Sequence, residues 1–459
     1  MSRCVYMDIA VIGAGRIGTT LAERLTAEGH SITLIDKNEA RLSYASNNLD
    51  VMTVLGNGAD YYTQTRAEVG SADLLIAVTN NDAVNMLCCL TGKKLGVKNT
   101  VARVRTMEYY RQMVFLKDEL GLSLVFNPEM YAAEEISRIL RFPSAEKVDS
   151  FAKGRAELVE FTVWPGSSLI GLPLRKFGSQ FGSGILVCAV NHENKITIPK
   201  GDYVIAEGDI IHLVGAPAEI TAFFKSAGIY KKGVRDVILL GGSRTAIYLS
   251  NILLNMGIHV KIIEQKQENC TELNHLLRKA EIIHGDGGDP KLLEEEGIRN
   301  ADAFVALTGS DQNNIITSIF AKKSGAKKVI TKINEEHYRT MIGTHTLESC
   351  VTPKTIATDL IVQYVRAIHN SIESSGIEAL HKIAGGNAEA LEFLITEKDK
   401  HSGKALKDLN IGSDTLLAAI IRNNSCIIPG GDDFVRPGDS VIAVTTRFGV
   451  QRFDDLFEE

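Results

Sequence analysis

The feature that most constrains this chain is a repeat held in register over half its length. Val237-Ile238-Leu239-Leu240-Gly241-Gly242-Ser243-Arg244 lies over Ile9 to Arg16, with Gly13 falling on Gly241, 228 positions on. Asp36 falls on Glu264 by the same step. Gly56-Asn57-Gly58 meets Gly285-Asp286-Gly287 at 229, as Thr79, Asp82 and Asn85 meet Thr308, Asp311 and Asn314. The turns Pro199-Lys200-Gly201-Asp202 and Gly208-Asp209 meet Pro429-Gly430-Gly431-Asp432 and Gly438-Asp439 at 230. Separate motifs sharing one register imply two tandem copies of one unit, an array of two and not a solenoid. The length of 459 residues agrees, since single cores stop growing at roughly 250–300 residues.

Each copy begins with buried-strand runs alternating with helical stretches. In the first, Ile9–Ile12 is followed at once by Gly13-Ala14-Gly15-Arg16-Ile17-Gly18, then by a helix with apolar Ile17, Leu21 and Leu25, then by a strand ending at Asp36. Strands at Val51–Leu55, Leu74–Val78 and Thr100–Val104 continue the pattern, with helices from Asp82 to about Leu95 and from about Pro128 to Leu140. Such alternation implies a parallel sheet covered on both faces. After Phe142-Pro143 the chain turns β-rich, with runs at Glu157–Val163, Ile185–Val190 and Ile210–Val214 and a closing helix near Glu219–Ser226. The expected fold class is α/β: tandem Rossmann-like parallel-sheet domains, each followed by a small α+β C-terminal lobe. The expected boundaries are 1–142, 143–230, 231–370 and 371–459.

The glycine loop gives the first copy its chemistry. Gly13 makes the tight turn, Gly15 lets a pyrophosphate approach the backbone, and Gly18 lets helix and strand pack closely. The helix N-terminus offers free N–H groups to phosphate. Asp36, 23 residues after Gly13, is placed to accept both ribose hydroxyls and to repel a 2′-phosphate, which favours NAD(H). Thr79-Asn80 ends a strand at the edge where ligands bind, or caps the next helix. Asn57 reaches adenine or ribose, or only makes a turn. Arg103 pairs with a phosphate or with an interface carboxylate. The second copy is altered: Gly241 and Gly242 precede Ser243, whose side chain stands where the backbone should approach pyrophosphate. Arg244, Thr245, Glu264, Asp286, Thr308 and Lys332 complete the matching set, for a nucleotide site or a structural copy.

Composition narrows the classes. A net charge of -6 gives no basic face for nucleic acid. The cysteines Cys4, Cys88, Cys89, Cys188, Cys270, Cys350 and Cys426 form no CxxC pair and read as small hydrophobes in a reducing compartment. No run approaches the roughly 20 apolar residues of a membrane span, and Met1–Met7 lacks signal-peptide character, so a cytosolic location is expected. A dehydrogenase needs a proton donor or acceptor facing its nicotinamide. His192 reads as part of a hairpin, and His345, His369, His381 and His401, read mostly as surface residues, do not recur in both copies. No zinc spacing, HExxH or Walker motif is present. The reading is therefore a non-enzymatic nucleotide sensor, with a soluble NAD-dependent oxidoreductase as the alternative.

These residues resemble a known family. Gly13–Gly18, Asp36, Gly56-Asn57-Gly58, Thr79-Asn80-Asn81-Asp82 with Asn85, and the Pro/Gly-Asp turns resemble regulator-of-potassium-conductance (RCK) modules. Their tandem order is similar to the NAD-binding regulatory subunits of Trk-type potassium uptake systems, over essentially the whole chain. The resemblance implies a homo-oligomeric ring, a tetramer, on the cytoplasmic face of a TrkH/TrkG-like integral membrane subunit, gated by NAD(H), with ATP or ADP as further candidate ligands. It implies a first site of Gly13, Ala14, Gly15, Arg16, Ile17, Asp36, Asn57, Thr79, Asn80 and Arg103. The second would be Gly241 to Thr245, Glu264, Asp286, Thr308 and Lys332. The helices at Asp82–Leu95 and after Pro128 would help to join neighbouring lobes.

Overall fold

The computed structural model describes residues 6–193, 195–229, 233–335, 337–338, 341, 347, 349–373, 377–412 and 414–457. Cys4 and His345 lie outside the described residues, as does the side chain of His369. The chain divides into two compact units, Met1–Ala133 with Thr352–Val365, and Glu134–Val351 with Arg366–Glu459.

The first unit is built on six parallel strands: β1 (Asp8–Ile12), β2 (Ser31–Asp36), β3 (Met52–Leu55), β4 (Leu74–Ala77), β5 (Asn99–Arg103) and β6 (Leu124–Phe126). Their order is β3-β2-β1-β4-β5-β6. Central β1 and β4 are apolar and almost wholly buried, as a sheet covered on both faces requires. Chain direction across the sheet reverses between β1 and β4, so a crevice opens at their carboxyl ends. The connecting helices are α1 (Arg16–Ala27), α2 (Glu39–Asn48), α3 (Tyr61–Arg66), α4 (Asp82–Leu95) and α5 (Met107–Leu116). Helix α1 buries Leu21 and Leu25, four apart on one face. Helix α4 starts where Asn81 accepts the Val84 N–H and stops at Gly96, whose φ of 118° ends the helix in the left-handed region. Helix α6 (Pro128–Arg141) then leaves this unit, its residues from Glu134 belonging to the second.

In the second unit, β7 (Lys147–Phe151), β8 (Ala156–Thr162), β9 (Ile185–His192), β10 (Lys195–Thr197) and β11 (Ile210–Gly215) form an antiparallel sheet ordered β10-β9-β11-β8-β7. Helices α7 (Phe177–Phe181) and α8 (Pro217–Ser226) close it over Phe161, Phe223 and Phe224. A second parallel sheet, β14-β13-β12-β15-β16-β17, comprises β12 (Asp236–Leu240), β13 (His259–Glu264), β14 (Glu281–His284), β15 (Ala303–Ala306), β16 (Lys328–Lys332) and β17 (Ser349–Val351). Its helices are α9 (Arg244–Asn255), α10 (Gln267–Leu276), α11 (Pro290–Glu295), α12 (Asp311–Ser324) and α13 (Pro353–Glu373). The last sheet holds β18 (Ile377–Ile383), β19 (Ala388–Leu394), β20 (Thr415–Arg422), β21 (Ser425–Ile427) and β22 (Ser440–Thr445) in the order β18-β19-β22-β20-β21. The strand orders of the two copies match, so the fold is the expected pair of Rossmann-like domains, each with an antiparallel C-terminal lobe.

The two antiparallel sheets share one core. Leu158, Cys188, Ala189 and Val214 pack with Ala390, Ala418, Ala419 and Ile442, small side chains that let the sheets approach closely. Polar ties border it: Lys147 Nζ donates to the Lys382 carbonyl at 3.1 Å, and His381 Nδ1 lies 3.2 Å from Asp149 Oδ1. His381 is thus an interface residue and not the surface residue its sequence context suggests. The exiting helices are anchored alike, Arg141 of α6 on buried Glu157 and Arg366 of α13 on buried Glu389. The segment Thr352–Val365, which holds the first part of α13, belongs to the first unit, where Asp359 pairs with Arg24 of α1.

Candidate nucleotide-binding sites

In the first unit the β1–α1 loop turns at Gly13, whose φ of 109° suits glycine and whose backbone lies against Val78 and Thr79. Gly15 is the N-cap of α1 and brings no side chain to cap it. A Cβ there would point into open space, the room a phosphate needs beside the exposed N–H groups. A Cβ at Gly18 would overlap the Gly13 carbonyl oxygen, which accounts for the third glycine. Ala14 is buried, Ile17 half-buried, and Arg16 exposed at the mouth. The Asp36 carboxylate accepts the Ala14 N–H at 2.7 Å and the Asn38 N–H at 2.8 Å. Those bonds fix its rotamer and leave each oxygen a lone pair for a hydroxyl donor.

Across the crevice a buried asparagine sets the other wall. Asn85 Oδ1 accepts both the N–H and the hydroxyl of Thr79, at 2.8 and 2.6 Å. Its Nδ2 donates to the carbonyls of Thr79 and Arg103, at 3.1 and 2.9 Å. Arg103, also buried, donates to the Thr79 carbonyl and, at 3.3 Å, to Asn80 Oδ1. Arg103 therefore braces the end of β4, a role outside the two read from the sequence. The helix cap is Asn81, not Thr79 or Asn80. Asn57 is exposed, and its Oδ1 accepts the Ala59 N–H at 3.2 Å in the turn after β3.

The second copy repeats this frame with a different lining. Asn314 bonds Thr308 and the Lys332 carbonyl as Asn85 bonds Thr79 and Arg103, and Lys332 Nζ donates to the Leu307 carbonyl at 3.1 Å. Glu264 Oε2 accepts the Gly242 N–H at 2.7 Å, and Oε1 accepts from Lys266 N and Asn269 Nδ2 at 2.9 and 3.1 Å. Glutamate is longer than aspartate, and the loop compensates: a Cβ at 242 would meet Leu273 at 2.5 Å and Glu264 at 3.2 Å, so glycine replaces alanine there. Ser243 caps α9 through its own hydroxyl, which accepts the Ala246 N–H at 3.4 Å. A cavity of about 380 Å³ is lined by Gly241, Gly242, Ser243, Glu264, Asp286 and Thr308 of the expected set. Arg244, Thr245 and Lys332 do not line it: Arg244 is exposed, Thr245 is buried, and Lys332 is buried with its Nζ on the Leu307 carbonyl. Asn269, Ser310, Asn313 and Thr317 line it without having been foreseen. Their sequence signal is position alone, at the start or along the first half of the helices that follow two strand ends. No cluster of three metal-binding side chains occurs among the described residues.

Comparison with known proteins decides the lineage. The TrkA-N domain model matches residues 9–128 and 237–353, and the TrkA-C domain model matches 158–228 and 390–458. The chain belongs to the TrkA family. The Trk system potassium uptake protein TrkA of Halomonas elongata is 33% identical over 442 residues, 95% of each chain. A TrkA homolog of Methanosarcina mazei is 31% identical, covering 98% of this chain and all of its own. Among solved structures, the GsuK channel bound to NAD superposes with a TM-score of 0.64 at 15% identity, over 97% of this chain and 78% of that one. The GsuK RCK domain gives the same score over 93% of its chain, a likeness of fold. No described helix is long and apolar enough to cross a membrane.

Proposed function

We propose that this TrkA-family chain is the nucleotide-sensing regulatory subunit of a Trk-type potassium uptake system. NAD(H) binds at Gly13–Ile17, Asp36, Thr79 and Asn80 of the first unit, with ATP or ADP as competing ligands. Ligand binding shifts a ring of these subunits, a tetramer, between two shapes on the cytoplasmic face of an integral membrane potassium-transporting partner, and so gates uptake. The observation that carries the reading is the uncapped α1 N-terminus at Gly15 beside an Asp36 carboxylate already held in place. That arrangement binds a phosphate and a ribose without rearranging the loop. The family relatives, named for potassium uptake, supply the system in which such a sensor would act.

Isothermal titration of the full chain with NADH, NAD, ATP and ADP tests the first step. Binding of NADH to a site that Gly15→Val removes supports it, since a branched side chain would fill the phosphate space. No heat with any of the four sinks it. Affinity capture of the chain from membranes, followed by identification of a co-purifying potassium transporter, tests the second step.

A further inference from the structure

The two copies present opposite hydrogen-bonding polarity at the same place. Asn57 and Asp286 are equivalent residues in the turns after β3 and β14, and each gives one oxygen to its own turn. Asn57 Oδ1 accepts the Ala59 N–H at 3.2 Å, and Asp286 Oδ1 accepts the Gly288 N–H at 2.9 Å. With that oxygen engaged, the outer atom of Asn57 is the amide nitrogen, a donor. The outer atom of Asp286 is a second carboxylate oxygen, an acceptor only. Both side chains are exposed, and Asp286 lines the cavity of the second copy.

The crevice orders a nucleotide along its length. Phosphate belongs at the helix N-terminus and ribose at the carboxylate closing the second strand, so the base lies beyond that carboxylate, toward the third strand. The Gly56 and Gly285 N–H groups donate to the Asp36 and Glu264 carbonyls, both at 3.0 Å, which sets each turn directly beside its ribose carboxylate. Asn57 and Asp286 are therefore the side chains that meet the base edge.

We infer that Asp286 restricts the second site to purines bearing an amino group at the 6-position, as adenine does, whereas Asn57 leaves the first site open to 6-oxopurines. In the pose that sets the 6-position against the carboxylate, adenine offers it an N–H, and hypoxanthine turns its 6-oxo oxygen toward it with N1–H to one side. The Asn57 amide can donate to a ring nitrogen of adenine or to a 6-oxo group alike. This rests on both glycine loops being nucleotide sites, and the experiment separates the two claims.

ADP and IDP differ at the 6-position of the base, and both are titrated into full-length Gly15→Val protein, in which only the second site is open. ADP is expected to bind more tightly by about tenfold, the worth of one hydrogen bond with its unmatched alternative. Asp286→Asn in that background should bring the two within about threefold. With the second site blocked by Gly242→Val and the first left unchanged, the first site should bind both alike, and Asn57→Asp should impose the preference there. Equal binding of ADP and IDP by Gly15→Val protein, or a preference that survives Asp286→Asn, overturns the inference. Binding of ADP by wild type but of neither ligand by Gly15→Val also overturns it and leaves the proposed function standing. No binding by wild type removes both.

Discussion

At the residue scale, the first site depends on side chains that hold backbone as well as ligand. Asp36 ties Ala14 and Asn38 while keeping lone pairs for a ribose. Asp36→Ala should weaken NADH by at least about tenfold in calorimetry, through loss of charge-assisted bonds worth about 1.5–3 kcal/mol. Asn85 makes four hydrogen bonds from a fully buried position. Asn85→Ala strands several buried partners and should cost about 2–4 kcal/mol in urea unfolding, with Asn314→Ala behaving alike in the second copy. Asp36 and Gly15 were legible in the sequence because a motif fixes both spacing and role. The bracing role of Arg103 was not, because its partner is the carbonyl of Thr79, and a carbonyl leaves no trace in residue type.

At the scale of elements, the helix Asp82–Leu95 and the strands around the glycine loops could be read from apolar runs and capping residues. Helix α2 could not: only Leu42 and Ala45 of its ten residues are buried, too little for a periodic signal. Strand β7 was also hidden, because Lys147 and Asp149 interrupt its apolar pattern and find each other only on one face of the folded strand, at 2.9 Å. His212 of β11 shows what burial alone can do. It is fully enclosed, its ring lies 3.6 Å from Glu160, and desolvation, reinforced by the Lys147 charge, lowers its pKa to about 4. A histidine with a depressed folded pKa stays neutral in the fold while the unfolded chain takes up a proton below about pH 6.5. Stability from this site is therefore full above that pH and falls as pH drops toward 4, by about 3 kcal/mol at the lower limit. The corresponding residue of β22 is Ile442, so His212→Ile should flatten the pH dependence of thermal unfolding between pH 6.5 and 4.

At the scale of the whole molecule, the tandem plan was visible in the register of the motifs, but the exchange of helix segments was not, since nothing in α13 marks Thr352–Val365 as belonging with the first unit. Ligand linkage gives a test at this scale. NADH at about 100 times its dissociation constant for the first site should stabilise the folded chain by about 2.7 kcal/mol, seen as a raised melting temperature that Gly15→Val reduces. The pair Asp149–His381 carries a different consequence. Asp149 of β7 faces Leu158 on β8, and His381 of β18 faces Ala390 on β19, so the two occupy matching stations in the two lobes. In a homodimer of a single half, an aspartate at that station would confront another aspartate, and a histidine another histidine. In a single fused chain each station can differ from its mirror, so a hydrogen-bonded pair of unlike side chains becomes available that a symmetric dimer cannot encode.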